Sequence, residues 1–320
     1  MGVKDDYQYE YLNDNRRFAD QINGGLFGGK QIVRPEELQQ LEPQNVYLGG
    51  KDKKRKNVKT IVDKARLWKG RQIHILVIEN QNLVDYHMVI RNMLSESLGY
   101  LRQWNQMSAY HTEKRDLKKG SDAFISGMKK EEKFQPIITL VVYFGTEHLW
   151  DGATCLYELL DIEEGLKDYV TNYKLNLYDC QAHDSFEEYQ TGLRQVFETV
   201  RYGKDKEKLR KVMEENREIY SRIDGATRDM LEVVANVKIP EEFKVVEDKE
   251  ERYDMCKAFE DMRLEGYEEG IEKGIEKGIR ALIETCKKFG IPQNKILEEC
   301  MEKYELTREK AQEYMAECGE

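Results

Sequence analysis

Residues 71–100 read RQIHILVIENQNLVDYHMVIRNMLSESLGY. Ile73 to Ile78 is short, apolar and rich in β-branched side chains, which predicts a buried strand. That strand ends in Glu79-Asn80-Gln81. Side chains two apart in a strand share a side, so Glu79 and Gln81 project together from the end of a rigid element. Met88, Met93, Leu94, Leu98 and Leu101 recur at helical spacing and predict a helix over 85–104. A carboxylate and an amide held on a strand against a helix make a platform for a divalent cation, or an ordinary strand end. These residues alone leave both readings open.

Upstream, 1–17 is polar and Tyr-rich and reads as a frayed lead-in. Phe18–Phe27 starts helically and is expected to break at Gly24-Gly25. Asp20 sits on that helix, either as an outer carboxylate for a metal site or as a surface residue. Pro35 suits the first turn of a helix. Val58–Val62 can form a short strand, and the basic turn before Gln72 suggests an antiparallel pair with Ile73–Ile78. Downstream, Lys114–Lys133 is charged and reads as a loop with a short helix near Phe124–Met128. Pro136 opens a second apolar strand, IITLVVYFG, followed by His148-Leu-Trp-Asp-Gly152 and a helix around Leu156–Leu160. Tyr173–Tyr178 alternates and reads as a further strand.

Interleaved strands and helices give a mixed α/β core over 1–180. Ser185–Val200, Lys206–Tyr220 and Asp224–Val234 are helical in period and form a helical subdomain, 181–240, packed on that core. The remainder, 241–320, is an acidic extension. Within it Gly266, Gly270, Gly274 and Gly278 recur every four residues, in step with Ile271, Ile275 and Ile279. Each helical glycine costs roughly 1 kcal/mol relative to alanine, so this helix calls for a close-packed partner or frays. Gly290 and Pro292 stop it, and two short helices, about 293–303 and 307–317, close the chain with Thr307 as a cap. This final pair suggests a contact between copies.

The 320-residue chain carries a net charge of −10, unevenly spread. Between Lys51 and Arg71 ten basic residues face two aspartates, whereas 241–320 has 23 acidic and 14 basic residues. The basic run suits a polyanion such as nucleic acid, or is a solvated loop. No run approaches the ~20 apolar residues that span a bilayer. Met1–Phe18 lacks the apolar stretch of a signal peptide, so a cytoplasmic location is expected. The six cysteines form no CxxC pair, which argues against a zinc site or a disulfide framework. No P-loop, dinucleotide fingerprint or Ser-His-Asp set is present. His74, inside an apolar strand, reads as a core histidine. His148 and His183 lack partners at ligand spacing, and Trp150 reads as a packing anchor. His87 and Arg91, four apart, share a helix face, to touch phosphate or to cap and pack.

The order of pieces carries a resemblance: RFADQINGGLFGG, QIVRPEELQQL, a basic strand, ILVIENQNLVDYHMVIRNMLSESLGYLRQW, PIITLVVYFGTEHLWDGATCLYELLDI, then a Gly-Ile-Glu-Lys tail. Over roughly 10–290 this is similar to the bacterial family of recombination-promoting nucleases and transposases, within the PD-(D/E)XK nuclease superfamily. Ile78-Glu79-Asn80-Gln81 with Tyr86, His87, Met88 and Arg91, and the strand followed by Trp-Asp-Gly, are its most specific pieces. The resemblance implies a restriction-endonuclease-like mixed sheet flanked by helices, and a Mg²⁺- or Mn²⁺-dependent endonuclease acting on double-stranded DNA. Glu79 and a strand aspartate then hold the metal, which activates water at the scissile phosphate. Gln81 stands where many members of the superfamily have lysine, and it orients without adding charge. Lys53, Lys54, Arg55, Lys56 and Lys59 meet the phosphate backbone, as does Arg91.

One departure matters. The family's motif aspartate follows an arginine, and the matching stretch here is Arg55-Lys56-Asn57-Val58-Lys59. Asn57 therefore falls at the ligand position, and an amide binds a divalent ion less well than a carboxylate. Asp63 serves instead only if the strand register shifts, and Asp20 is the other carboxylate on offer. Two further readings follow: a degenerate relative that binds DNA without cutting it, and a purely structural module that self-associates through its C-terminal helices.

Overall fold

The computed structural model describes residues 3–41, 64–69, 73–234, 238–247 and 250–318. The chain divides into two compact units, one ending at Asp254 and one starting at Met255.

The first unit is built on a five-stranded sheet in the order β1-β2-β3-β4-β5. Its strands are β1 (Leu38–Gln40), β2 (Lys64–Lys69), β3 (Ile73–Gln81), β4 (Ile137–Tyr143) and β5 (Asn176–Asp179). β1, β2 and β3 are antiparallel neighbours, whereas β3, β4 and β5 run parallel. A parallel pair needs a long crossover, and between β3 and β4 the chain supplies helix α3 (Met88–Lys114). The second apolar strand explains its own position. Leu140, Val141 and Val142 are all fully buried, so β4 is covered on both faces, and a strand covered on both faces need not alternate. The strand expected at Val58–Val62 lies outside the described residues; the strand antiparallel to β3 is Lys64–Lys69.

Successive side chains sort the sheet into two faces. Leu76, Ile78 and Leu140 point to the face covered by helix α2 (Asn15–Phe27), whose Phe18 and Ile22 are fully buried. Aromatic rings extend this layer: Phe197, on α5 (Leu193–Tyr202), lies 4.7 Å from the Tyr189 ring and 5.7 Å from that of Phe186. The other face meets α3, where Thr139 donates to Glu96 at 2.8 Å.

Two expectations change here. Helix α2 does not break at Gly24-Gly25; it runs on to Phe27 and stops at Gly28, in the left-handed region at φ +57°. The paired glycines serve close approach instead. A Cβ on Gly24 would lie 2.3 Å from a Tyr189 ring carbon, and one on Gly25 2.7 Å from a Leu140 methyl. The N-terminal stretch is likewise a helix, α1 (Val3–Tyr11). Tyr11 and Leu12 are buried, and the Tyr11 hydroxyl lies 3.1 Å from Thr227 Oγ1 on α8 (Gly225–Val234).

Beyond β5 come α4's later counterparts in the chain: α5, α6 (Lys206–Glu215), α7 (Arg217–Tyr220) and α8, with α4 itself (Asp122–Ser126) lying before β4. A three-stranded antiparallel sheet joins them: β6 (Ile223–Asp224), β7 (Lys244–Glu247) and β8 (Glu250–Tyr253), in the order β6-β8-β7. The second unit consists of α9 (Met255–Lys288), α10 (Gln293–Tyr304) and α11 (Arg308–Glu317). Its core is Ile279, Ile283, Cys286, Ile296, Cys300 and Ala311. Helix α9 continues through all four glycines. Gly278 alone of these meets a neighbour, the Tyr304 hydroxyl 2.8 Å from where a Cβ would sit. Thr307 caps α11 through the Lys310 amide, as its sequence predicts. Among the described residues no helix is long and apolar enough to cross a membrane.

The end of α3 is fastened by a charged knot. His111 is buried, with Nδ1 2.7 Å from Asp116 and Nε2 2.9 Å from Glu132. Lys129 Nζ donates to Asp116 at 2.7 Å. These contacts, first to Asp116 and then to Glu132, raise the His111 pKa above its ordinary value.

Gly24→Ala forces its methyl into Tyr189 and should destabilise the protein by about 1–3 kcal/mol, read by chemical denaturation. The His111 knot contributes stability that is complete below the unfolded pKa of ~6.5 and is lost as pH rises through the higher folded value. Amide exchange in 116–132 should therefore accelerate above that value in the native protein, and His111→Gln should remove the pH dependence.

Candidate active site

Glu79 lies near the end of β3, opposite Val141 of β4, and is only 3% exposed. A carboxylate buried that deeply needs a charged or hydrogen-bonding partner. Arg91 supplies one: its Nη2 donates to Glu79 Oε2 at 3.2 Å. The same guanidinium reaches Asp85 Oδ2 at 3.2 Å through Nη1. Asp85 also accepts from the His87 backbone at 3.0 Å and lies 2.5 Å from His87 Nδ1. Local geometry explains this convergence. His87 is the N-cap of α3, and helical side chains tilt toward the N-terminus. Arg91, one turn in, thus leans back over Asp85 and the end of β3. The shared face of His87 and Arg91 resolves into a common partner, Asp85, which the sequence reading missed.

Gln81 points to the same face as Glu79, two residues further on. Its partner in β4 is Tyr143, whose partner in β5 is Asp179. An amide, a phenol and a carboxylate therefore stand in a row at the carboxyl ends of three parallel strands, the usual place for a site in an open α/β sheet. Burial raises the Tyr143 pKa, and the charges of Asp179 and Asp151 add to it. The Trp150 ring packs edge-on to Tyr143 at 5.3 Å, the anchoring role expected of it. Asp179 accepts from the backbone amides of Trp150 at 2.7 Å and Gln181 at 2.8 Å, which fixes the Trp-Asp-Gly loop. Tyr86 donates to Asp151 across 3.5 Å. Asp179 was legible only as the residue after an alternating strand; the parallel register gives it a place.

The other histidines have structural contacts. His74 faces its cross-strand partner Trp68, ring centroids 5.1 Å apart. His183 stacks on Tyr178 at 4.3 Å, and His148 Nδ1 lies 2.8 Å from the Leu149 carbonyl.

Asp20 is not brought to Glu79. It is buried, and it accepts from the Gln190 amide at 3.0 Å and from the Thr191 amide and hydroxyl at 2.8 and 2.7 Å. Burial raises its pKa against the pull of these bonds. Its neighbour Gln21 donates to Asn80 at 3.4 Å, so α2 lies on the Asn80 face of β3, while Arg91 meets Glu79 on the opposite face. Lys64, on the α2 side, contacts Asn13 and lies over the Tyr9 ring; burial lowers its pKa to about 8. Asn57, Asp63, Lys53, Lys54, Arg55, Lys56 and Lys59 lie outside the described residues. Lys64, next after Asp63, pairs with Ile78, next before Glu79.

Among the described residues no group of three or more His, Cys, Asp or Glu side chains is placed to hold a metal. Glu79, Gln81 and Asp85 each offer oxygen donors, the kind a hard cation such as Mg²⁺ or Mn²⁺ takes.

A mixed five-stranded sheet with helices on both faces, and an acidic residue and an amide at the end of its central strand, defines a restriction-endonuclease-like α/β protein. The family model described as "Putative transposase, YhgA-like" matches residues 64–228, just over half of the chain. The chain belongs to that family, a PD-(D/E)XK-like nuclease family. No curated protein and no solved structure matches the chain.

Because Asp20 satisfies two backbone amides, Asp20→Ala should cost about 2 kcal/mol or more, measured by denaturation. Any nicking per folded molecule should be unchanged.

Proposed function

We propose that this protein is a metal-dependent DNA endonuclease acting in recombination or transposition by hydrolysing phosphodiester bonds. The observation that carries the reading is the placement of Glu79 and Gln81 on one face at the carboxyl end of β3, beside a guanidinium. Membership of a transposase-like nuclease family supports it. Glu79 contributes a carboxylate oxygen to Mg²⁺ or Mn²⁺, and Gln81 orients the attacking water or a phosphate oxygen. Asp63 is taken as the second carboxylate because it adjoins Lys64, whose partner Ile78 adjoins Glu79. A bound divalent ion lowers the pKa of its water and neutralises charge on the scissile phosphate. Arg91 and the basic residues Lys53, Lys54, Arg55, Lys56 and Lys59 contact the DNA backbone.

Asn57 favours a second reading, a relative that binds duplex DNA without cutting it. Self-association belongs to either reading: Tyr267, Ile271 and Ile275 are exposed along α9, where Gly270 and Gly274 leave room for a neighbouring helix.

Plasmid nicking in Mg²⁺ tests the proposal. Glu79→Ala and Asp63→Ala should each lower the rate by at least ~100-fold. Equal nicking by wild type and Glu79→Ala sinks the nuclease reading. Duplex binding that weakens with salt, without nicking, selects the second.

A further inference from the structure

We propose that Arg91 holds the place of the divalent cation at Glu79, so that the ion pair and the loaded site exclude one another, and that the guanidinium it releases then serves the scissile phosphate. This rests on the endonuclease reading above. The Glu79 carboxylate is 3% exposed, and Arg91 donates to its Oε2 at 3.2 Å. A hard cation binds a carboxylate through those same oxygen lone pairs. A guanidinium within hydrogen-bonding distance of them both occupies a ligand position and repels a dication.

The other end of Arg91 explains how it can let go. Nη1 is already bonded to Asp85 Oδ2 at 3.2 Å, and Asp85 is held by His87, with Nδ1 at 2.5 Å and the backbone amide at 3.0 Å. Asp85 therefore tethers Arg91 when Glu79 is taken by a metal. The Arg91 side chain is 33% exposed, against 3% for Glu79, so its freed donors face solvent where a phosphodiester would arrive. A planar fork of donors suits a phosphate. Gln81 brings no positive charge to this face, whereas Arg91 is a cation bonded directly to the candidate ligand.

Mn²⁺ binding to the full chain without DNA, followed by electron paramagnetic resonance, tests this. Arg91→Met should bind Mn²⁺ about tenfold more tightly than wild type, a coupling of ordinary size. Arg91→Lys should stay near wild type, and Glu79→Ala should abolish binding. Arg91→Gln provides a second neutral side chain should the methionine variant fail to fold. In Ca²⁺, the dependence of duplex affinity on salt should be shallower in the neutral variants by about 0.9 in the log–log slope, one phosphate contact. In chelator the slopes should coincide. Neutral variants that bind Mn²⁺ no more tightly than wild type overturn this inference and leave the nuclease reading standing if wild type nicks and Glu79→Ala does not. If wild type and variants alike bind no Mn²⁺, both fall.

Discussion

A carboxylate enclosed between a sheet and a helix must be matched by positive charge, and the Glu79–Arg91 pair meets that demand. Much of the local architecture answers to it. Helix α3 has to begin at Met88 for Arg91 to lean back onto β3, and β3 has to keep its parallel register with β4 as far as Gln81. Breaking a buried pair costs ~3–5 kcal/mol, and the partial exposure of Arg91 puts this one toward the lower end. Such an arrangement is hard to justify on stability alone, since an apolar pair would fill the same space without the desolvation penalty. A buried acid paired with a partly solvated cation is better suited to a site whose charge changes when a ligand arrives.

The parts of the fold legible in the sequence were those governed by burial on both faces. β4 is a run of apolar residues because helices cover it above and below, and β3 repeats the pattern up to Glu79. Helices α6 and α8 showed their period because each buries one stripe, Leu209 and Met213 in one and Thr227, Met230, Leu231 and Val234 in the other. What escaped notice was set by distant partners. Helix α1 is polar in composition, and distant partners keep it in place: α8, through Tyr11 and Thr227, and Asn82, through the Gln8 amide. Gly24 and Gly25 look like a helix stop until Tyr189 and Leu140 are seen against them. The strands β6, β7 and β8, two to four residues each, are too short to establish a period of two.

The candidate site was half legible for a related reason. Alternation along a strand is a local rule, so Glu79 and Gln81 could be placed on one side from sequence. Which side a separate element faces is not local. Asp20 sits on a helix that packs against the Asn80 face, one residue and half a pleat from Glu79, and its carboxylate is taken up by the Gln190–Thr191 turn. Asp85 lies in a loop with no periodicity to mark it, and only the bend of the chain between β3 and α3 brings it under Arg91.

Charge balance links these observations to chemistry. Glu79 and Asp85 bring two negative charges and Arg91 one positive charge, while Gln81 adds none. A divalent cation bound at Glu79 would add positive charge, the sign a phosphodiester requires, and would at the same time remove the reason for Arg91 to stay on Glu79. In a nuclease with lysine at the position of Gln81 the positive charge would come from the strand. Here Arg91, in the first turn of the helix, is a cation on Glu79 with an alternative partner, Asp85, already in hand.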